Sequence, residues 1–151
     1  MTRRDTSSRP PAASCETLHA SCVAAHGRAA LITGASGTGK SALALQLMAH
    51  GAGLVADDRT LIWRSDDQLW ADAPDRLSGM IEAREVGILR VTPVGAHPLA
   101  VVIDLDTPET ERLPAHHATH LSGLPIPVLR KSDLAHFPAA ILTYLRGQRE
   151  A

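Results

Sequence analysis

The chain has 151 residues, 44% of them hydrophobic, and a formal charge of −1. That is the composition of one soluble domain with an ordinary core. Near-neutral charge without a basic stripe argues against nucleic acid as the main partner, and no apolar run approaches the ~20 residues that span a bilayer, so a cytoplasmic protein is expected. Aromatic residues make up only 3%; the core must be built from Leu, Val, Ile and Ala, and base-stacking platforms of the single-strand-binding kind are missing.

Residues 1–14 are rich in Arg, Ser and Pro and lack an apolar stretch, which reads as a disordered tail rather than a secretory signal. The folded domain is expected over 15–148. Cys15 and Cys22 match no zinc or redox spacing and read as inert thiols. Residues 18–25 predict a strand, His26-Gly27-Arg28 a turn, and Ala29-Ala30-Leu31-Ile32-Thr33 a buried strand.

That strand runs into Gly34-Ala35-Ser36-Gly37-Thr38-Gly39-Lys40-Ser41, which fits G-x-x-x-x-G-K-[ST]. The glycines let the backbone curl so that several N–H groups point at one anion. Lys40 can neutralise phosphate oxygens, and the Ser41 hydroxyl can ligate magnesium. Residues 41–50 predict a helix with Leu43, Leu47 and Met48 on one face and Gly51 at its C-cap. Strand, loop and helix together identify a nucleotide phosphate site.

Leu54-Val55-Ala56 is then a short buried strand ending in Asp57-Asp58, and residues 59–64 continue extended. A hairpin turn at 65–68 returns the chain through Leu69-Trp70-Ala71. Residues 79–91 alternate like a half-exposed segment, 99–105 is the strongest strand by β-branched content, and 107–120 reads as loop with a weak helical turn. Leu134, Phe137, Ile141, Leu142 and Leu145 predict a closing amphipathic helix with Pro138 in its first turn. His116, His117 and His120 carry a metal-like spacing, but no acid or cysteine completes a site and they read as loop.

Phosphoryl transfer also needs a carboxylate near the metal, and two segments compete for that place. One is Val101-Val102-Ile103-Asp104. The other is Leu54-Val55-Ala56-Asp57-Asp58, whose paired acids fall at the carboxyl end of the strand after the phosphate loop, where an α/β sheet exposes ligand-facing residues. Neighbouring strand residues face opposite ways, so the two acids should not share a role; which one is the base stays open.

The phosphate loop followed at this distance by Asp57-Asp58 resembles the HPr kinase/phosphorylase family. His19 occupies the place of a family histidine that precedes the loop, and Glu82, Arg84, Gly87 and Ile88 match a family segment E-x-R-x-x-G-I. Outside that register, His19 reads as a hydrogen-bonded core residue. The resemblance implies the α/β P-loop kinase fold of the HPr kinase C-terminal (PEP carboxykinase-like) type, a mixed sheet with flanking helices, in a short single-domain bacterial form. It also implies an ATP- and magnesium-dependent kinase acting on a serine of HPr, the phosphocarrier of the sugar phosphotransferase system, and many members run the reverse reaction. By it, residues 34–41 bind ATP, Ser41 and Glu82 hold Mg2+, Asp57 and Asp58 supply the base, and His19 and Arg84 assist. A homo-oligomer is expected.

Two departures stand out. Glu85 follows the Arg where the family has Gly, and Pro127-Val128-Leu129-Arg130-Lys131-Ser132 stands where the family has P-V-x-x-G-R, so the family's Arg is displaced or absent; Arg130 and Lys131 are candidates to replace it, but basic residues leading into a final helix read first as solvated. Both lead us to expect weak reverse activity at most. A small-molecule kinase and a nucleotide-sensing module without turnover are the rival readings.

Overall fold

The computed structural model describes residues 9–151. The chain opens with β1 (Glu16–Leu18), β2 (Ser21–Ala25) and β3 (Arg28–Thr33), then α1 (Lys40–Ala49) and β4 (Gly53–Ala56). A hairpin of β5 (Thr60–Ser65) and β6 (Gln68–Asp72) follows, then a second of β7 (Met80–Ala83) and β8 (Gly87–Arg90). The long β9 (His97–Pro108), β10 (His117–Leu121), β11 (Leu124–Lys131) and α2 (Phe137–Arg146) complete it.

The central sheet runs β10, β11, β9, β3, β2, β4, with β3 parallel to β9 and β9 parallel to β11. A ribbon of β1, β5 and β6 joins it where Trp70 and Ala71 pair with Pro98 and His97 at the start of β9. Alternation along β3 shows why the sheet is covered on both faces. Ala30 and Ile32 pack with Leu43 and Leu47 of α1 and Ile141 and Leu145 of α2, while Ala29 and Leu31 pack with Ile62, Leu69 and Ala71 of the ribbon. Strands buried on both faces read as continuous apolar runs, as Ala29-Ala30-Leu31-Ile32 does. Trp63 and Trp70, opposite each other on β5 and β6, stack with centroids 6.4 Å apart.

Three expectations need correction. Residues 9–14 are docked rather than disordered, because the Arg9 guanidinium reaches Asp72 at 2.8 Å and Asp75 at 2.9 Å; residues 1–8 lie outside the described residues. The strand expected over 18–25 breaks at His19-Ala20, where β1 leaves to pair with β5 and β2 begins its pairing with β3. The loop expected over 107–120 contains the end of β9 and all of β10 but its last residue. The β10–β11 hairpin was hidden by His and Pro content, yet Ser122 (φ 46) and Gly123 (φ 81) make the tight turn that closes it. The helix expected near the C-terminus is present, and the Arg28 side chain caps it by donating to the carbonyls of Leu145 and Gly147.

Leu47 is fully buried between α1 and the sheet. Leu47→Ala should cost about 2–5 kcal/mol, read as a lower urea midpoint at unchanged slope; a loss below about 1 kcal/mol would place α1 outside the cooperative core.

Candidate active site

The phosphate loop lies at the carboxyl ends of the parallel strands β3 and β9, the ligand-binding edge of an α/β sheet. Gly34 has φ +151, and a Cβ there would meet Thr38 Oγ1 at 2.6 Å, so only glycine fits. Gly39, at φ 97, is the left-handed N-cap of α1 and offers no side chain to the first-turn N–H groups, which leaves them to face an anion. Lys40 is 8% exposed, and its Nζ donates to the carbonyls of Gly34 (2.8 Å) and Ala35 (3.1 Å). One of its three N–H donors remains for a phosphate oxygen.

The two competing acids part here. Asp57 Oδ1 accepts hydrogen bonds from Ser41 Oγ and Ser21 Oγ, each at 2.7 Å, and Oδ2 accepts from the Glu82 N–H at 3.0 Å. Asp104 does not reach Ser41; it accepts from the Asp106 N–H at 2.8 Å, and Asp106 in turn accepts from the Ala35 N–H at 2.9 Å, pinning the phosphate loop to β9. Ser21 and Asp106 were both missed in the sequence. The signal for Ser21 was a polar residue inside the buried run of β2, and for Asp106 a second acid two positions beyond Asp104.

Asp58 points elsewhere. The Arg59 N–H donates to the Asp57 carbonyl at 2.7 Å across Asp58, whose φ is +66. That is the strained form of the γ-turn, and it throws the Asp58 side chain away from Asp57. Asp58 Oδ1 lies 2.8 Å from His19 Nε2 and Oδ2 lies 3.1 Å from the Arg59 guanidinium, all three side chains about half exposed. His19 belongs to the break between β1 and β2, which frees its ring from the sheet. A contact this short needs a proton on Nε2 or on the carboxyl, so the pair can share one.

His19, Lys40, Ser41, Asp58, Glu82 and Arg84 all line one cleft of about 630 Å³, with Ser36, Gly37 and Gly39 of the phosphate loop. Glu82 enters the Asp57 network through its backbone; its side chain is exposed in the cleft. Ser41 and Asp57 form an all-oxygen donor set of the kind magnesium takes alongside phosphate and water, so these residues fit that ion. Among the described residues no group of three or more His, Cys, Asp or Glu forms a ready metal cage. His117 faces Glu109 at 3.4 Å, away from this cleft. Cys22 is fully buried, which pushes its thiol well above the usual range and leaves it inert.

The family model described as "HPr Serine kinase C-terminal domain" matches residues 11–104. The chain belongs to this family. It is 39% identical over 93 residues to the HPr kinase/phosphorylase of Lactiplantibacillus plantarum, covering 60% of this chain and 30% of that protein. It is 46% identical over 77 residues to that of Peptoclostridium acidaminophilum, covering 50% and 25%. The match thus spans less than a third of the length of these curated relatives. The solved structure of the Hpr(Ser) kinase/phosphatase from Coxiella burnetii superposes with a TM-score of 0.75 at 28% identity, covering 87% of this chain and 94% of that one. The fold is therefore that of the HPr kinase C-terminal domain, an α/β domain with a mixed sheet and flanking helices.

Family membership makes Glu85 informative. The Val86 N–H donates to the Ala83 carbonyl at 2.9 Å, and Glu85 at the third position of that turn has φ +67. This is a type II turn, whose third position favours glycine because a Cβ is strained there. Glu85→Gly should raise stability by about 0.5–1 kcal/mol, strain relief outweighing the extra freedom of the unfolded chain. Thermal melts check this, and a lower melting temperature would mean that the Glu85 side chain stabilises the turn.

Proposed function

We propose that this chain is a protein serine kinase that uses ATP and magnesium to phosphorylate an HPr-type phosphocarrier of the phosphotransferase system. One observation carries the reading: two neighbouring carboxylates take opposite duties, Asp57 bound to the Ser41 hydroxyl of the phosphate loop and Asp58 bound to His19 in the open cleft. A module that only senses nucleotide needs the first and has no use for the second. A small-molecule kinase would enclose its substrate, whereas Asp58 is 59% exposed, within reach of a serine presented on another protein's surface.

Transfer needs positioning, charge neutralisation and a proton acceptor. The serine Oγ attacks the terminal phosphorus of ATP, the new O–P bond forms as the bridging O–P bond breaks, and ADP leaves. Asp58 takes the serine proton, and His19 holds that carboxylate in place and can share the proton. Lys40 and the loop N–H groups balance the phosphate charge. Magnesium, when bound beside Ser41 and Asp57, supplies further neutralisation on the phosphate oxygens. Arg84 lines the same cleft and adds a cation to it. In reverse, Asp58 would return the proton to the serine oxygen as inorganic phosphate takes up the phosphoryl group, forming pyrophosphate; we propose that this activity is weak, since Glu85 puts a negative charge in the turn next to Arg84. We further propose a cytoplasmic homo-oligomer; no described helix is long and apolar enough to cross a membrane.

Incubation with labelled ATP, magnesium and the phosphocarrier tests the proposal. The expected result is label on a carrier serine, with Asp58→Asn lowering kcat by about 10²-fold or more while ATP binding is kept. ATP binding without transfer would favour the sensing module, and label on a metabolite would sink the protein-kinase reading.

A further inference from the structure

We propose that a second cavity, of about 520 Å³ and at the opposite end of the sheet from the phosphate loop, binds a small organic anion carrying carboxylate or phosphate groups. It lies where the β2–β3 turn, the C-terminal ends of α1 and α2 and the approach to β9 meet, and it shares no lining residue with the cleft that holds His19 and Asp58. α1 keeps the two sites apart. Its first residues, Lys40 and Ser41, line the cleft and its C-cap, His50, lines this cavity, a span of about 15 Å along the helix. The chemistry of the cavity is independent of the kinase reading.

Its lining carries charge of one sign. Arg146 and the imidazoles of His26, His50 and His97 line it, and no Asp or Glu does. A basic residue in the last turn of a helix ordinarily serves the terminal carbonyls. Here Arg28 has taken that place, donating from β3 to the carbonyls of Tyr144, Leu145 and Gly147. Arg146 has no hydrogen-bond or ion-pair partner among the described residues, so its forked donors are left for a ligand. The carbonyls that end α1 are spent as well, on the N–H groups of His50, Gly51 and Ala52. That capping blunts the negative charge which two helix ends would otherwise turn on an anion.

His97 is the buried member of the set. It is 2% exposed, and its Nδ1 lies 3.0 Å from the Gly95 carbonyl, which places a proton on Nδ1. Nε2 has no partner among the described residues and is not sealed from solvent, so it opens onto the cavity that the ring lines. On gaining a proton it can donate a charged hydrogen bond to an anion. His26 stands at φ 55 beside Gly27 at φ 77, at the tip of the β2–β3 hairpin, where Asn or Gly is favoured. The strained backbone thus presents an imidazole at the mouth of the cavity. Ala24, Ala52 and Val94 add an apolar wall for the stem of the ligand. An apolar wall with a few convergent polar groups, at a volume within the usual range of about 300–1,000 Å³, suits a small organic molecule.

Imidazole-detected NMR of the full chain, titrated with succinate and with glycerol 3-phosphate, tests this, because each histidine reports its own surroundings. The expected result is a saturable shift of the His26, His50 and His97 signals with at least one probe, and the tighter probe tells carboxylate from phosphate recognition. His116 and His120, outside the cavity, should stay unmoved, and saturating ATP with magnesium should leave the titration unchanged. Arg146→Gln, at an exposed position, should weaken the probe about tenfold or more. His50→Gln, also exposed, should weaken it by a smaller factor and decides the matter if Arg146→Gln fails to fold. No shift with either probe, equal shifts at all eight histidines, release of the probe by ATP, or full affinity in a folded variant would overturn the site. A shift confined to His19 would place the probe at the phosphate loop and overturn it too.

Discussion

The Asp57 carboxylate joins four elements at one point. It closes β4, accepts from Ser21 on β2 and Ser41 on α1, and holds the Glu82 N–H of β7. A carboxylate that is 6% exposed is costly to bury unless its oxygens are satisfied, and these three donors satisfy it. The same bonds fix the hydroxyl of the phosphate loop, the start of the strand below it and the hairpin that walls the cleft. The geometry of the cleft follows from keeping this one group paired.

With Asp57 turned inward, its neighbour has to go elsewhere. The strained γ-turn at Asp58 gives two consecutive acids two environments, one buried against the phosphate loop and one half exposed against His19. Strain of this kind persists only where the surroundings hold it, and here the Asp57 network and the Thr60 hydroxyl, which donates to the Ala20 carbonyl at 2.9 Å, hold both flanks. Adjacent residues thereby place one carboxylate on the phosphate-loop hydroxyl and the other beside His19 in the open cleft.

The phosphate loop, its strand and helix, and the acid pair after β4 were legible in the sequence because each rests on local chemistry: glycine backbone freedom, apolar periodicity, and acids at a strand end. The division of labour between Asp57 and Asp58 was not, since alternation says that neighbours differ but not which one meets Ser41. The contest with Asp104 turned on Asp106, whose bond to the Ala35 N–H depends on the register of β9 against β3. The family model ends at residue 104, whereas the structural likeness to the Coxiella burnetii protein covers 87% of the chain. The region beyond β9 is where the P-V-x-x-G-R pattern is lost and where β10 and β11 went unseen, because their order comes from β11 pairing with β9 and β10 with β11 rather than from local propensity.

The central claim is that Asp57 serves the metal and phosphate side and Asp58 the hydroxyl side. Electron paramagnetic resonance of Mn2+ with ATP, titrated with the unaltered protein, Asp57→Asn and Asp58→Asn, measures that split directly. The account predicts that Asp57→Asn loses bound Mn2+ with an affinity drop of about tenfold or more, while Asp58→Asn keeps it. Equal losses in both variants, or a loss confined to Asp58→Asn, would contradict it.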